Sequence, residues 1–266
     1  MSKLQTAIQK ISESSRDGSL PSSREIREAM AAKRNGDRNQ ITTGETLQVS
    51  RSIDIDIASL AEAGIAVAAE DNPALRGEIR RIKWPVLANA FGDQSELIPR
   101  SSLVMVASAT SGEGKTFTAI NLALSIAAER DVEVLLVDAD IAKPNVSKLF
   151  NVRDEPGLTD FLSNSEFKIE DIVLGTSIEG LKLLPAGHAN PLASELIASN
   201  RMVSLVEELD ARFPNTIILF DTSPILQTNE SQVLSGLVGQ VLLVVAANKT
   251  PRPAVQEALS VLGDDL

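Results

Sequence analysis

The sequence predicts an α/β fold, a doubly wound and mostly parallel sheet with helices on both faces, preceded by a polar N-terminal arm. Three observations predict it. Four short, unbroken apolar runs, "LVMVASA", "VEVLLVD", "NTIILFD" and "QVLLVVAA", have the texture of strands covered on both faces. Segments of helical composition alternate with them. Glycine- or aspartate-bearing loops follow three of these runs, at the strand ends where open α/β sheets hold ligands.

Taken in order, residues 1–70 read as the arm and linker. The first fifty residues are polar and carry 8 Lys/Arg against 6 Asp/Glu. Leu4, Ile8 and Ile11 fall at helical spacing, so a short amphipathic helix is expected at 3–12, either docking on a partner or fraying on a disordered arm. Residues 71–266 read as one domain. "PALRGEIRRI" is expected to be a helix, and "LIPRSSLVMVASAT" a turn and a buried strand. A helix over 114–129 follows, with Ile120, Leu124 and Ala127 on one side. After the strand "VEVLLVDAD" come a helix over Leu158 to Leu162, weaker strands near "DIVLG" and "LKLLPAG", and a helix over Leu192 to Arg212. The strand "NTIILFDTSP", a helix over Glu230 to Leu237, the strand "QVLLVVAA" and a helix over Pro253 to Leu262 complete the chain.

Composition narrows the function. Apolar residues make up 43% of the 266 and aromatics 3%, enough for a sizeable but aliphatic core. A net charge of -11 argues against nucleic acid or anionic lipid as the main partner. The absence of cysteine excludes disulfides and thiol chemistry. No apolar run has the ~18 residues of a membrane span, and the N-terminus lacks a signal-peptide core, so a cytoplasmic protein is expected.

The chemistry sits at the strand ends. "SATSGEGKT", Ser108 to Thr116, is close to the phosphate-loop pattern, with Gly114-Lys115-Thr116 in place and Ala109 where the first glycine usually stands. Gly112 and Gly114 let successive N–H groups turn toward phosphate oxygens, and the helix that follows adds the positive end of its dipole. Ala109 is small and serves if its φ stays negative. In "LLVDADIAKP", Asp138 and Asp140 can hold Mg²⁺ through water or accept a proton from an incoming hydroxyl. In "IILFDTSP", Asp221 follows four apolar residues, as a Mg²⁺-water ligand of a P-loop protein does. Each aspartate alone reads equally well as a turn residue; the order and spacing of the three motifs point to one nucleotide site.

Together, "SATSGEGKTFTAINLA", "VLLVDADIAKP" and "IILFDTSPIL" resemble the bacterial tyrosine kinases, cousins of the MinD/ParA ATPases. "IKWPVLANAF", "DADIAKPNVSKLF", "NPLASELIAS" and "GQVLLVV" are similar to the autokinase branch found in exopolysaccharide loci, and the likeness runs from about residue 74 to 263. In the MinD/ParA branch a signature lysine stands where this chain has Thr110, which favours the kinase branch.

The resemblance implies an ATP-dependent protein-tyrosine kinase that regulates exopolysaccharide polymerisation, chain length or export, with ATP and Mg²⁺ as cofactors. By position it implies nucleotide contacts from Thr110, Ser111, Gly112, Glu113, Gly114, Lys115, Thr116 and Phe117. Mg²⁺ falls to Thr116, Asp140 and Asp221. Catalysis falls to Lys115, Asp138 and Asp140, with Asp138 a candidate base and the division of labour between the two aspartates open. It further implies tyrosine-bearing protein substrates and a membrane chain-length (polysaccharide co-polymerase) partner that brings the protein to the inner membrane. Subunits of the family meet through a Glu-aromatic-Arg motif. Here "GEIR" supplies Glu78 and Arg80, with Ile79 in the aromatic place, for a homo-oligomer. His188, the single histidine, is expected to be loop decoration.

The pattern breaks in two places. The family phosphorylates tyrosines in its own C-terminal tail, and these 266 residues contain none. The sequence also ends at "LGDDL", where the family continues with a strand, a helix and that tail, so a fragment or a shortened product is expected. Two other readings stay open, a MinD/ParA-like ATPase switch without kinase activity and a non-catalytic assembly subunit.

Overall fold

The structure is a computed structural model that describes residue 49 and residues 51–65, 72–92 and 95–263. The helix expected at 3–12 lies outside the described residues. The first elements are β1 (Ser52–Ile53), α1 (Ile57–Glu62) and α2 (Pro73–Phe91), then a 3-10 turn at Ser95–Leu97. The centre of the domain is β2 (Leu103–Ser108), α3 (Lys115–Ala127), β3 (Glu133–Asp138), α4 (Asn145–Leu149), α5 (Leu158–Ser163) and α6 (Ile169–Ile172). The remainder is β4 (Leu174–Thr176), β5 (Leu181–Leu184), α7 (Ala193–Ile197), α8 (Asn200–Arg212), β6 (Thr216–Asp221), α9 (Asn229–Ser235), β7 (Gln240–Val244) and α10 (Arg252–Leu262).

The strands form one seven-stranded sheet in the order β1-β4-β5-β3-β6-β2-β7. Every pairing is parallel except β4 with β5. Alternate residues of the central strands feed two cores, one per face. Val104, Val106, Val134, Leu136, Ile217 and Leu219 pack with α2 and α3. Leu103, Met105, Leu135, Val137, Ile218 and Phe220 pack with α5 and α8. Helices on both faces of a mostly parallel sheet are the fold class expected from the sequence. It leaves the C-terminal ends of β2, β3 and β6 side by side, with Asp138 directly opposite Asp221 in the register.

Two segments depart from expectation. Residues 51–65, placed in the arm and linker, fold onto the domain. β1 adds an edge strand beside β4, and Ile55, Leu60 and Ile65 are buried in the core. A two-residue strand is too short to show a period, which is why the sequence hides it. The single helix expected over 192–212 is two helices. At Ser199 the backbone is extended, with φ -86° and ψ 159°, and its hydroxyl donates to the Leu196 carbonyl, ending α7 and turning the chain into α8.

α2 carries a buried cation. Lys83 is 4% exposed, and its ammonium donates to the Ser125 carbonyl (3.0 Å) and to Glu129 Oε1 (2.6 Å) near the C-terminal end of α3. Glu129 keeps 22% of its side chain in solvent. Lys83→Met is therefore expected to destabilise the domain by about 1–3 kcal/mol, a Tm loss on the order of 3–10 °C, read by thermal denaturation. An unchanged Tm would mean that the pair contributes nothing net.

Candidate active site

The phosphate loop spans the gap between the end of β2 and the start of α3. Gly112 and Gly114 take φ of 81° and 97°, a region where a side chain would strain the backbone. Ala109 is fully buried and keeps a negative φ, so the loop does not need glycine there. Ile225 and Leu226, just past β6, donate their N–H groups to the Ser108 and Ala109 carbonyls and brace the start of the loop.

The sequence-predicted residues fall into three groups. Lys115, Thr116, Asp138, Asp140 and Asp221 converge at the ends of β2, β3 and β6. Thr116 Oγ1 donates to Asp221 Oδ2 at 2.7 Å. Its proton is thereby committed to the carboxylate, which leaves its lone pairs for a cation. Asp140 Oδ1 accepts from the Ser223 hydroxyl (2.9 Å) and the Lys143 N–H (3.1 Å). Asp138 Oδ2 accepts from both the N–H and the hydroxyl of Ser147, each at 2.7 Å.

A second group lies at the exposed rim: Ser111, Gly112, Gly114 and Phe117, the last 37% exposed. The third comprises Thr110 and Glu113, which serve each other. Glu113 Oε2 takes the Thr110 N–H at 2.5 Å, and its other oxygen takes the Thr250 hydroxyl. Thr110 was expected among the nucleotide contacts; its N–H is bound to Glu113, within the loop itself.

The sequence reading missed four residues. Ser147 and Ser223 hold the aspartates from flanking segments. From the loop after β7, Lys249 Nζ donates to the Gly112 carbonyl at 3.2 Å, and Thr250 reaches Glu113. The rule that ligands gather beyond parallel strand ends applies to β7 as it does to β2, and it is the signal by which Lys249 and Thr250 could have been found. His188 sits beyond β5, bound through Nδ1 to Asp160 Oδ1 at 3.0 Å. Glu78 is exposed on α2 and pairs with Arg81 at 3.3 Å, while Ile79 between Glu78 and Arg80 is buried.

Three carboxylates crowd one buried ammonium. Burial pushes the Asp221 carboxyl up to about 7; the Thr116 hydrogen bond and Lys115 oppose this, and the charges of Asp138 and Asp140 add to it. Burial likewise raises Asp138 to about 6 against the Ser147 hydrogen bonds. Burial lowers Lys115, despite the attraction of Asp221, Asp140 and Glu113. In Glu113 burial pushes upward, but hydrogen bonds from Thr250 and from the Thr110 and Ala246 N–H groups hold it below the usual carboxylate range.

Asp138 Oδ1 and Asp221 Oδ1 are buried without a partner. The Asp221 oxygen, beside the Thr116 hydroxyl, suits a hard cation. Among the described residues no three His, Cys, Asp or Glu side chains form a metal cage. Mg²⁺ does not require one, since it takes one or two protein oxygens and completes its shell with water and phosphate.

These pKa shifts have a consequence for stability. Between the ordinary carboxyl value near ~3.9 and the raised folded values, the unfolded chain has lost protons that the folded protein retains. Raising the pH from 5.5 to 8 in EDTA is thus expected to cost about 2–3 kcal/mol, a fall in Tm on the order of 5–10 °C, flattening above pH 7–8. Adding Mg²⁺ and nucleotide should narrow the fall. A Tm that climbs across this range would contradict the placement of the two buried aspartates.

Comparison with known proteins agrees with the geometry. The family model for CbiA, the CobQ/CobB/MinD/ParA nucleotide binding domain, matches residues 104–237. The tyrosine-protein kinase YwqD of Bacillus subtilis is 35% identical over 159 residues, covering 60% of this chain and 65% of that protein. The tyrosine-protein kinase ptk of Acinetobacter johnsonii is 31% identical over 161 residues, 60% of this chain but 21% of its own length. The chain thus spans between about a fifth and two thirds of these relatives. The crystal structure of the VpsO kinase domain superimposes with a TM-score of 0.59 at 31% identity, covering 73% of this chain and 92% of that one. The match begins in β2 and ends just past α9, taking in the phosphate loop and all three aspartate-bearing strand ends, and on that ground the chain belongs to the CobQ/CobB/MinD/ParA nucleotide-binding domain family.

Proposed function

We propose that this chain is the kinase domain of an ATP-dependent protein-tyrosine kinase of exopolysaccharide assembly, working at the inner membrane beside a chain-length partner. The carrying observation is the convergence of Asp138, Asp140 and Asp221 on the Lys115-Thr116 end of the phosphate loop. Similarity to proteins named tyrosine kinases selects this activity from those the fold can host.

In this reading the loop N–H groups, Lys115 and the start of α3 bind and orient the triphosphate. Thr116, Asp140 and Asp221 hold Mg²⁺, which supplies charge neutralisation at the transferred phosphoryl group. Asp138 takes the phenolic proton as the tyrosine oxygen displaces ADP from the γ-phosphorus. The acceptor lies outside these 266 residues, which contain no tyrosine. Glu78 and Arg80, exposed on α2, contribute to contacts between copies.

The test is incubation with γ-labelled ATP, Mg²⁺ and a Glu/Tyr copolymer as acceptor, with and without the membrane partner. Phosphotyrosine is expected. ATP hydrolysis without label on any tyrosine would replace this reading with the ATPase switch.

A further inference from the structure

Asp138 is held mainly from one side, by Ser147. Its Oδ2 receives two hydrogen bonds, both from Ser147, while Oδ1 is buried and receives none. Ser147 stands in the first turns of α4, nine positions after Asp138, and is 1% exposed. Its hydroxyl is itself constrained. Ser147 Oγ accepts the Ala186 N–H at 3.0 Å. A hydroxyl has one proton to give, and with a donor already pointing at its oxygen, that proton is directed at Asp138.

Ala186 is fixed in turn. Its carbonyl accepts the Thr159 N–H and the Thr159 hydroxyl, both at 3.0 Å. The same hydroxyl lies 2.6 Å from the His188 carbonyl, and Asp160 Oδ2 accepts the Gly157 and His188 N–H groups. The start of α5 and the loop after β5 thus form a hydrogen-bonded layer behind Ser147.

We infer that Ser147 is a positioning residue that locks Asp138 Oδ2 and so presents Oδ1 as the working oxygen of the carboxylate. The inference rests on the proposed role of Asp138 as the group that receives the proton of the attacking hydroxyl. The layer behind Ser147 sets which way the carboxylate faces, and a side chain that never touches substrate thereby governs the rate. Without the Ser147 hydroxyl, the backbone N–H alone holds Oδ2, and the carboxyl group is free to rotate about its Cβ–Cγ bond. A misplaced base loses rate steeply, because proton transfer demands heavy-atom contact near ~3 Å.

The experiment compares Ser147→Ala, Ser147→Cys and Ser147→Thr with the unaltered chain. Steady-state transfer to the Glu/Tyr copolymer, ATP hydrolysis and binding of a fluorescent ATP analogue are measured on each. Ser147→Ala is expected to lower kcat about 10–100-fold with KM for ATP and analogue affinity within about twofold, and Ser147→Thr to recover most of kcat by restoring the hydroxyl. Unchanged kcat in Ser147→Ala overturns the inference. So does a parallel loss of analogue affinity, which is the mark of a merely structural role, and so does a Thr variant no better than Ala or Cys. If the unaltered chain hydrolyses ATP but labels no tyrosine, the kinase reading fails alone, and the split is read on hydrolysis with water as acceptor. If it does neither, both fall.

Discussion

Lys115→Met is expected to abolish phosphotyrosine formation, lowering kcat/KM at least ~10³-fold. Lys115 is 7% exposed and begins α3, so its ammonium works where water is scarce and its charge is poorly screened. It is also a buried cation set against Asp221, Asp140 and Glu113. Methionine matches its length but leaves the carboxylates to face a polyanionic nucleotide without a counter-charge. Two losses should therefore coincide, in transfer and in nucleotide affinity, the latter roughly 10–100-fold. Labelled ATP measures the first and titration with the fluorescent analogue the second. A variant that retains a tenth of the activity would show that phosphate is held elsewhere.

Asp138→Asn is expected to separate activity from stability. The asparagine oxygen can still accept both Ser147 hydrogen bonds, so the fold and the ATP site should persist. The proposed base is lost, and kcat should fall about 10²–10⁴-fold with KM for ATP little changed. The substitution also removes one buried charge from beside Asp221 and Asp140. At pH 8 the variant should accordingly melt at a higher temperature than the unaltered chain, while at pH 5.5 the difference should shrink. Activity and Tm moving down together would instead make Asp138 a structural aspartate.

The parts of the molecule legible in the sequence are those whose signal is local. β2, β3 and β6 are continuous apolar runs because both faces are covered, and their terminal polar residues mark where the sheet opens to solvent. The phosphate loop is legible because its glycines are needed at φ values that few other residues adopt. The break between α7 and α8 is not, since the turn rests on one serine, Ser199, which bonds back to Leu196 and precedes the next helix, and serines also occur inside helices. Ser147 carries no pattern, because its partner lies on another element and serines are common. Thr250 meets Glu113 across 137 positions of sequence, a closeness set by the order of strands in the sheet.

The buried Lys83 gives α3 a mechanical meaning. Thirteen residues of α3, about 20 Å, join the phosphate loop at one end to a cation clamped under the other. A helix of that length is stiff along its axis, and α2 packs along it. Through Lys83, α2 is therefore tied to the far end of the helix whose first residues are Lys115 and Thr116.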